Sequence, residues 1–168
     1  MILKQLTKNF YISFISVVSI FLLDRFSKLF VIYLDEKNNG SELFFSKFLN
    51  IHLIWNDGIA FGLFSFQESY LYNILTVIIL SVIIVIFFMI VKNQGLKKYS
   101  LIMIFGGALG NFYDRIFYKG VPDFIDFHVE DYHWFIFNVA DIFISIGVIL
   151  MIFFELIDNS RKNNNEKY

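Results

Sequence analysis

The chain has 168 residues, 57% of them hydrophobic, and its mean hydropathy is +0.62. Charged residues make up only 17%, below the roughly 25% of a soluble domain, and 14 basic against 15 acidic side chains leave no electrostatic footprint for nucleic acid. The absence of cysteine excludes disulfides, thiol chemistry and iron–sulfur clusters, and His52, His128 and His133 show no HExxH or other metal-ligand spacing. This composition predicts a polytopic membrane protein.

Lys4 and Lys8 precede an apolar run that starts at Phe10, is interrupted by Asp24, Arg25 and Lys28, and resumes to Leu34. No small-x-small cleavage site follows, so the run reads as a retained spanning helix over 10–34 rather than a signal peptide. Residues 35–46 are polar and loop-like. In FLNIHLIW (48–55), Ile51, Leu53 and Trp55 alternate with Asn50, His52 and Ile54, and Asn56-Asp57-Gly58 follows as a tight-turn signal. A second strand returning from Ile59 to Phe66 would complete a small sheet, about 43–66, at the membrane surface. Residues 70–91 carry no charge and form the clearest span. After the basic turn holding Lys92, Lys97 and Lys98, a third helix is expected over 99–118. Residues 119–133 read as a polar, acidic loop, 134–154 as a fourth helix with Asp141 its only charge, and 159–168 as a solvated tail. No repeat or second domain is visible, so 1–158 reads as one membrane domain.

Four spans place both termini on one side, together with Lys4, Lys8, Lys92, Lys97, Lys98, Arg161, Lys162 and Lys167; the opposite loops hold only Lys37, Lys47 and Lys119. The positive-inside rule therefore puts the termini in the cytoplasm. Asp24 and Asp114 then lie toward the outer ends of helices running outward. Asp141 lies about two turns into a helix running inward, and Asp123 sits in the outer loop. The intramembrane acids share one level near the outer face, which points to a site, because such acids are costly unless paired or protonated.

Two carboxylates in a poorly hydrated pocket do not both ionise cheaply; one keeps its proton, and the pair can act as general base and general acid on one water. Asp123 and Asp141 could form such a pair if the loop folds over the mouth of the fourth helix. Read alone, Asp123 is equally an ordinary loop acid, and Asp141 a structural buried acid. Asn138, three residues before Asp141, shares its helix face; its amide either bonds substrate backbone or orients a carboxylate, or else it caps or bridges helices. Asn111, Asp114 and Arg115 follow Gly106, Gly107 and Gly110, which allow close helix approach; the alternative to a site is a packing seam with a structural ion pair. Asp114 is expected to reach a partner other than its neighbour, and Arg115 an acid or a headgroup. Asp24 and Lys28 are spaced for a helix-internal pair, and Asp126 reads as a bystander on the loop.

Together DRFSK (24–28), NDGIAFG (56–62), GGALGNFYDR (106–115), VPDF (121–124) and FNVAD (137–141) resemble, in order and spacing, the bacterial lipoprotein signal peptidase (signal peptidase II) family. The resemblance implies an all-α membrane fold of four transmembrane helices with a small periplasmic β-sheet between helices 1 and 2. It further implies an inner-membrane aspartic endopeptidase that needs no cofactor or metal and cuts prolipoproteins just before a diacylglyceryl-modified cysteine. By motif the catalytic pair falls on Asp123 and Asp141, with Asp114 a supporting acid. Asn56, Asn111, Arg115 and Asn138 fall at substrate or antibiotic contacts, and Asp24, Lys28 and Gly58 join them as site-supporting positions. Lipid-modified prolipoprotein, membrane lipids and globomycin-type cyclic peptides are the implied partners. Pro122 and Ile59 depart from the family pattern. A proton or ion pathway is the competing function class, opposed by the lack of acids in the inner half other than Glu155 and Asp158; a non-catalytic assembly factor is a third.

Overall fold

A computed structural model describes residues 2–41, 43–58, 69–130 and 132–165. Among them are four helices: α1 (Ile2–Lys37), α2 (Ser69–Lys92), α3 (Gly95–Phe117) and α4 (Val139–Asn165). One antiparallel sheet contains β1 (Phe44–Phe45), β2 (Leu49–Asn56), β3 (Val121–Val129) and β4 (Tyr132–Phe137), ordered β1-β2-β3-β4.

α1 ends where Asn39 and Gly40 turn left-handed (φ 55° and 75°). The Gly40 amide then donates to the Asp35 carbonyl at 2.9 Å and the Asn39 amide to Glu36 at 3.4 Å, a paired closure that satisfies carbonyls at the helix end. α2 has no charge between Ser69 and Lys92 and turns its apolar side chains outward: Val77, Val85, Phe88 and Val91 are all exposed. That pattern suits lipid rather than water. Tyr70–Lys92 and Val139–Ser160 are long and apolar enough to cross a membrane.

α3 is the packing centre and touches α1, α2, α4 and β3. A Cβ at Gly107 would lie 2.5 Å from the Ala140 carbonyl oxygen, and one at Gly110 would strike the Asp24 carboxylate. The glycines seen in the sequence thus admit two different helices, α4 at Gly107 and α1 at Gly110. On the far side of this seam Ile20, Ile90, Leu101 and Ile102 form a small buried apolar cluster.

The sheet differs from its expected form. β1 and β2 do lie between the first two helices, whereas the return strand expected at 59–66, with Ile59, Phe61 and Phe64, falls outside the described residues. The observed partners of β2 come instead from the α3–α4 connection, which was expected to be a loop. β3 pairs with β2 (Asn56 opposite Val121, Asn50 opposite Asp126) and with β4 (Ile125 opposite Phe137, His128 opposite His133). Consequently α4 starts at Val139, not at Trp134, and Asp141 sits in its first turn rather than two turns inside. At the other end α4 continues to Asn165, through residues expected to be a tail.

Candidate functional site

The helices place two polar clusters end to end. The first joins α1 to α3. Lys28 is fully buried, and its ammonium donates to Asp24 Oδ2 at 2.9 Å, Asn111 Oδ1 at 2.7 Å and Asp114 Oδ2 at 2.7 Å. An ammonium has three N–H donors, so all are used. Arg25 adds a second cation: its Nη2 lies 2.6 Å from Asp114 Oδ1 and 3.3 Å from Asp24 Oδ2, and its guanidinium sits 4.9 Å from the Tyr113 ring centre. Two carboxylates thus meet two cations, and the buried charge balances. The remaining Asp24 oxygen, Oδ1, accepts the Ala140 amide of α4 at 3.0 Å.

The second cluster contains two carboxylates, and every resolved hydrogen bond to them comes from an amide. Asp123, buried on β3, accepts Asn138 Nδ2 on Oδ1 at 2.6 Å and Asn56 Nδ2 on Oδ2 at 2.8 Å. Asn56, at the end of β2, is oriented by the Gly58 amide, which donates to its Oδ1 at 2.9 Å; the turn signal at 56–58 is therefore an Asx turn that aims a side chain. Asp141 is only partly buried. It accepts Asn111 Nδ2 on Oδ1 at 2.8 Å and the Asn138 backbone amide on Oδ2 at 3.2 Å. In return the Asp141 amide donates to Asn138 Oδ1 at 3.1 Å. Asn138 and Asp141 therefore form a reciprocal capping box at the start of α4. One asparagine side chain caps the helix with its oxygen and holds Asp123 with its nitrogen. Asn138 thus both orients a carboxylate and caps the helix.

Burial, followed by the neighbouring Asp141 carboxylate, pushes the Asp123 carboxyl up to about 6, against the amide bonds from Asn56 and Asn138 that favour its charged form.

Asn111 connects the clusters, accepting from Lys28 and donating to Asp141. That polarity fixes which way its amide faces. Arg115 frames the pair from the side. Among the described residues its bonds go to backbone carbonyls rather than to an acid; Nη1 donates to the Asn111 carbonyl at 3.1 Å and Nη2 to the Gly58 carbonyl at 3.0 Å, anchoring the turn that holds Asn56.

The structure therefore joins Asp24, Lys28, Asn56, Gly58, Asn111, Asp114, Arg115, Asp123, Asn138 and Asp141 in one bonded network. Sequence reasoning missed Arg25, whose partner Asp114 lies on another helix, and the Ala140 amide, which carries no side-chain signal. It also misplaced Asp126. That residue is fully buried and lies 2.8 Å from His133 Nδ1. It is a structural participant in the sheet, not a solvated loop acid.

Comparison with known proteins gives concordant matches. Residues 16–157 match the family model of signal peptidase (SPase) II. The chain is 49% identical over 159 residues to the lipoprotein signal peptidase of Pelagibacter ubique (strain HTCC1062), covering 95% of this chain and 96% of that protein. It is 35% identical over 155 residues to that of Anaplasma marginale (strain Florida), covering 92% and 89%. A bacterial membrane enzyme solved by the in meso method at 2.3 Å resolution superposes with TM-score 0.72 at 33% identity, over 89% of this chain and 90% of that one. A second such structure, at 1.9 Å resolution, gives TM-score 0.66 at 31% identity, over 86% and 92%.

Proposed function

The chain belongs to the signal peptidase II family, proteases that process lipoproteins, and we propose that Asp123 and Asp141 are its aspartic catalytic pair. The reading rests on one observation above others: Asn138 holds both carboxylates at once, and among the described residues their partners are amides, with no cation bonded to either. A proton is then the means of relieving their mutual repulsion. Asp141 is the base. It is the more exposed of the two, and the positive end of α4 favours its charge. Asp123, pushed up to about 6, is the acid. Substrate entry excludes water and raises it further.

In the proposed reaction Asp141 takes a proton from a water as the water oxygen attacks the scissile carbonyl carbon. Asp123 gives its proton to the carbonyl oxygen. Collapse of the tetrahedral intermediate breaks the C–N bond as the proton held by Asp141 passes to the leaving amine and one hydroxyl of the intermediate returns its proton to Asp123, which re-forms the C=O and restores the acid. The substrate is a diacylglyceryl-modified prolipoprotein, cut before its lipidated cysteine. Acyl chains in the outer leaflet hold that bond near the interface, the level we assign to the first turn of α4. Globomycin-type cyclic peptides would compete for the same cleft.

This geometry requires all four helices to cross the membrane with both termini cytoplasmic. The basic turn at 92–98 supports that placement. So do the ion pairs of Lys97 with Glu155 and Asp158, each 2.7 Å, which set the start of α3 level with the end of α4. Because the chain has no cysteine, single cysteines at Asn39 and Ser160 report topology directly. A membrane-impermeant thiol reagent should label Asn39→Cys in intact cells and Ser160→Cys only after the membrane is opened. The enzymatic test is a gel-shift assay on a diacylglyceryl-modified precursor. Wild type should convert it and Asp141→Asn should leave it uncut; cleavage by the variant at a near-normal rate would remove the pair from the mechanism.

A further inference from the structure

The sheet carries a third polar cluster that the proposed reaction does not use. Asp126 and His128 are two apart on β3, so their side chains leave the same face, and His133 on β4 is the registered partner of His128. The two imidazoles stack with centroids 5.1 Å apart, and Asp126 Oδ2 lies 2.8 Å from His133 Nδ1. One ligand atom from each of the three residues falls within 4.8 Å of the others.

Two buried polar atoms at this spot lack partners. Asp126 Oδ1 has no hydrogen bond although the residue is fully buried, and His128 Nδ1 has none although only 7% of that residue is exposed. A buried unpaired polar atom costs about 1–3 kcal/mol, and among the described residues two such atoms belong to side chains of this one cluster, each of which offers a metal-ligand atom. The side chain of His133, by contrast, is 52% exposed, which leaves the cluster open on one flank.

We propose that Asp126, His128 and His133 form a divalent transition-metal site of the Zn²⁺ class. Two imidazole nitrogens and a carboxylate oxygen suit zinc, with ligand bonds of about 2.0–2.2 Å and water in the fourth position. Calcium and magnesium take all-oxygen sets and do not suit this one. Tetrahedral bonds of that length set donor atoms about 3.4 Å apart, so side-chain rotation of about an ångström closes the site. The ion would clamp β3 to β4. Asp123 lies three residues before Asp126, and Asn138 directly follows β4, so the clamp braces the two segments that deliver Asp123 and its amide donor. Its role is to position; no reaction step passes through it.

The test uses the untagged full-length protein in detergent, stripped with chelator and then titrated with ZnCl2 against a chromophoric chelator. Wild type should bind one zinc per chain, and its Co²⁺ derivative should show the visible bands of a tetrahedral centre. His133→Ala removes a half-exposed side chain, and thermal unfolding checks that the fold survives the loss of its bond to Asp126; it should weaken zinc binding by about 100-fold and abolish the cobalt bands. Zinc binding by wild type only at Kd above about 0.1 mM, or equal affinity in His133→Ala, overturns the proposal. Both readouts are independent of proteolysis, so failure here leaves the Asp123–Asp141 assignment untouched, and the reverse also holds.

Discussion

The two carboxylate clusters are built from the same side chain and are opposites electrostatically. Around Lys28, two aspartates face two cations and every ammonium proton is used. Around Asn138, two aspartates are held by amides. The first cluster is neutral as it stands. The second holds its geometry without neutralising its charge, which leaves it dependent on a proton. Asn111 belongs to both, so the saturated cluster orients a donor of the unsaturated one. In the proposed mechanism, a charge-balanced frame thus supports the reacting pair.

The contrast breaks most sharply when one carboxylate of the second cluster becomes an amide. Asp123→Asn and Asp141→Asn should each lower turnover of lipidated precursor by at least about 1,000-fold while the purified protein keeps its thermal unfolding temperature within a few degrees. The shapes are preserved, and a repulsive pair is relieved. An unfolded variant, or one retaining a tenth of its activity, would merge the two clusters into one structural role.

The reverse pattern is expected in the frame. Lys28→Met leaves Asp24 and Asp114 sharing Arg25 alone in a buried site. Stranding a buried charge this way costs about 3–5 kcal/mol, so thermal unfolding in detergent should move down strongly and activity should fall with it. A variant that is fully stable but inactive would instead place Lys28 in the chemistry. Asn111→Leu should lie between, removing one acceptor from Lys28 and one donor from Asp141. We expect a stability loss of about 1–3 kcal/mol together with a fall in kcat, at little change in KM. A change in KM alone would show that Asn111 contacts substrate rather than Asp141.

These clusters also show how far the sequence carried. The residues of both were visible because polar side chains in apolar segments stand out, and Asp24–Lys28 was visible as a pair because it lies within one helix. Wiring between elements was not. Arg25 meets Asp114 across a helix interface, and Arg115 turns to backbone carbonyls that leave no mark in the sequence. β3 was hidden by its own polar residues. Its alternating faces carry Asp123 on one side and Asp126 and His128 on the other, so neither reads as a clean apolar stripe. β4 was hidden for the opposite reason: YHWFIF runs into the apolar start of α4, and only the Asn138–Asp141 box marks the boundary.

The smallest effect is the most specific. Asn56 donates to Asp123 Oδ2 and thereby favours the charged form. In Asn56→Ala that donor is gone, and Asp123, already raised to about 6, should rise further. A raised carboxyl holds its proton to higher pH. If Asp123 must be protonated to assist the carbonyl, activity declines as pH climbs through its pKa, so the alkaline limb of the pH–rate profile should shift upward in Asn56→Ala. The limb belongs to the coupled pair rather than to one residue, but the direction is fixed by the lost donor. Stability follows the same sign: the proton-bound folded form is favoured below the unfolded value near 4 and loses that advantage as pH rises past the folded one. A limb that moves to lower pH, or stays in place while kcat falls, would mean that Asp123 works as the base and that the two carboxylates exchange roles.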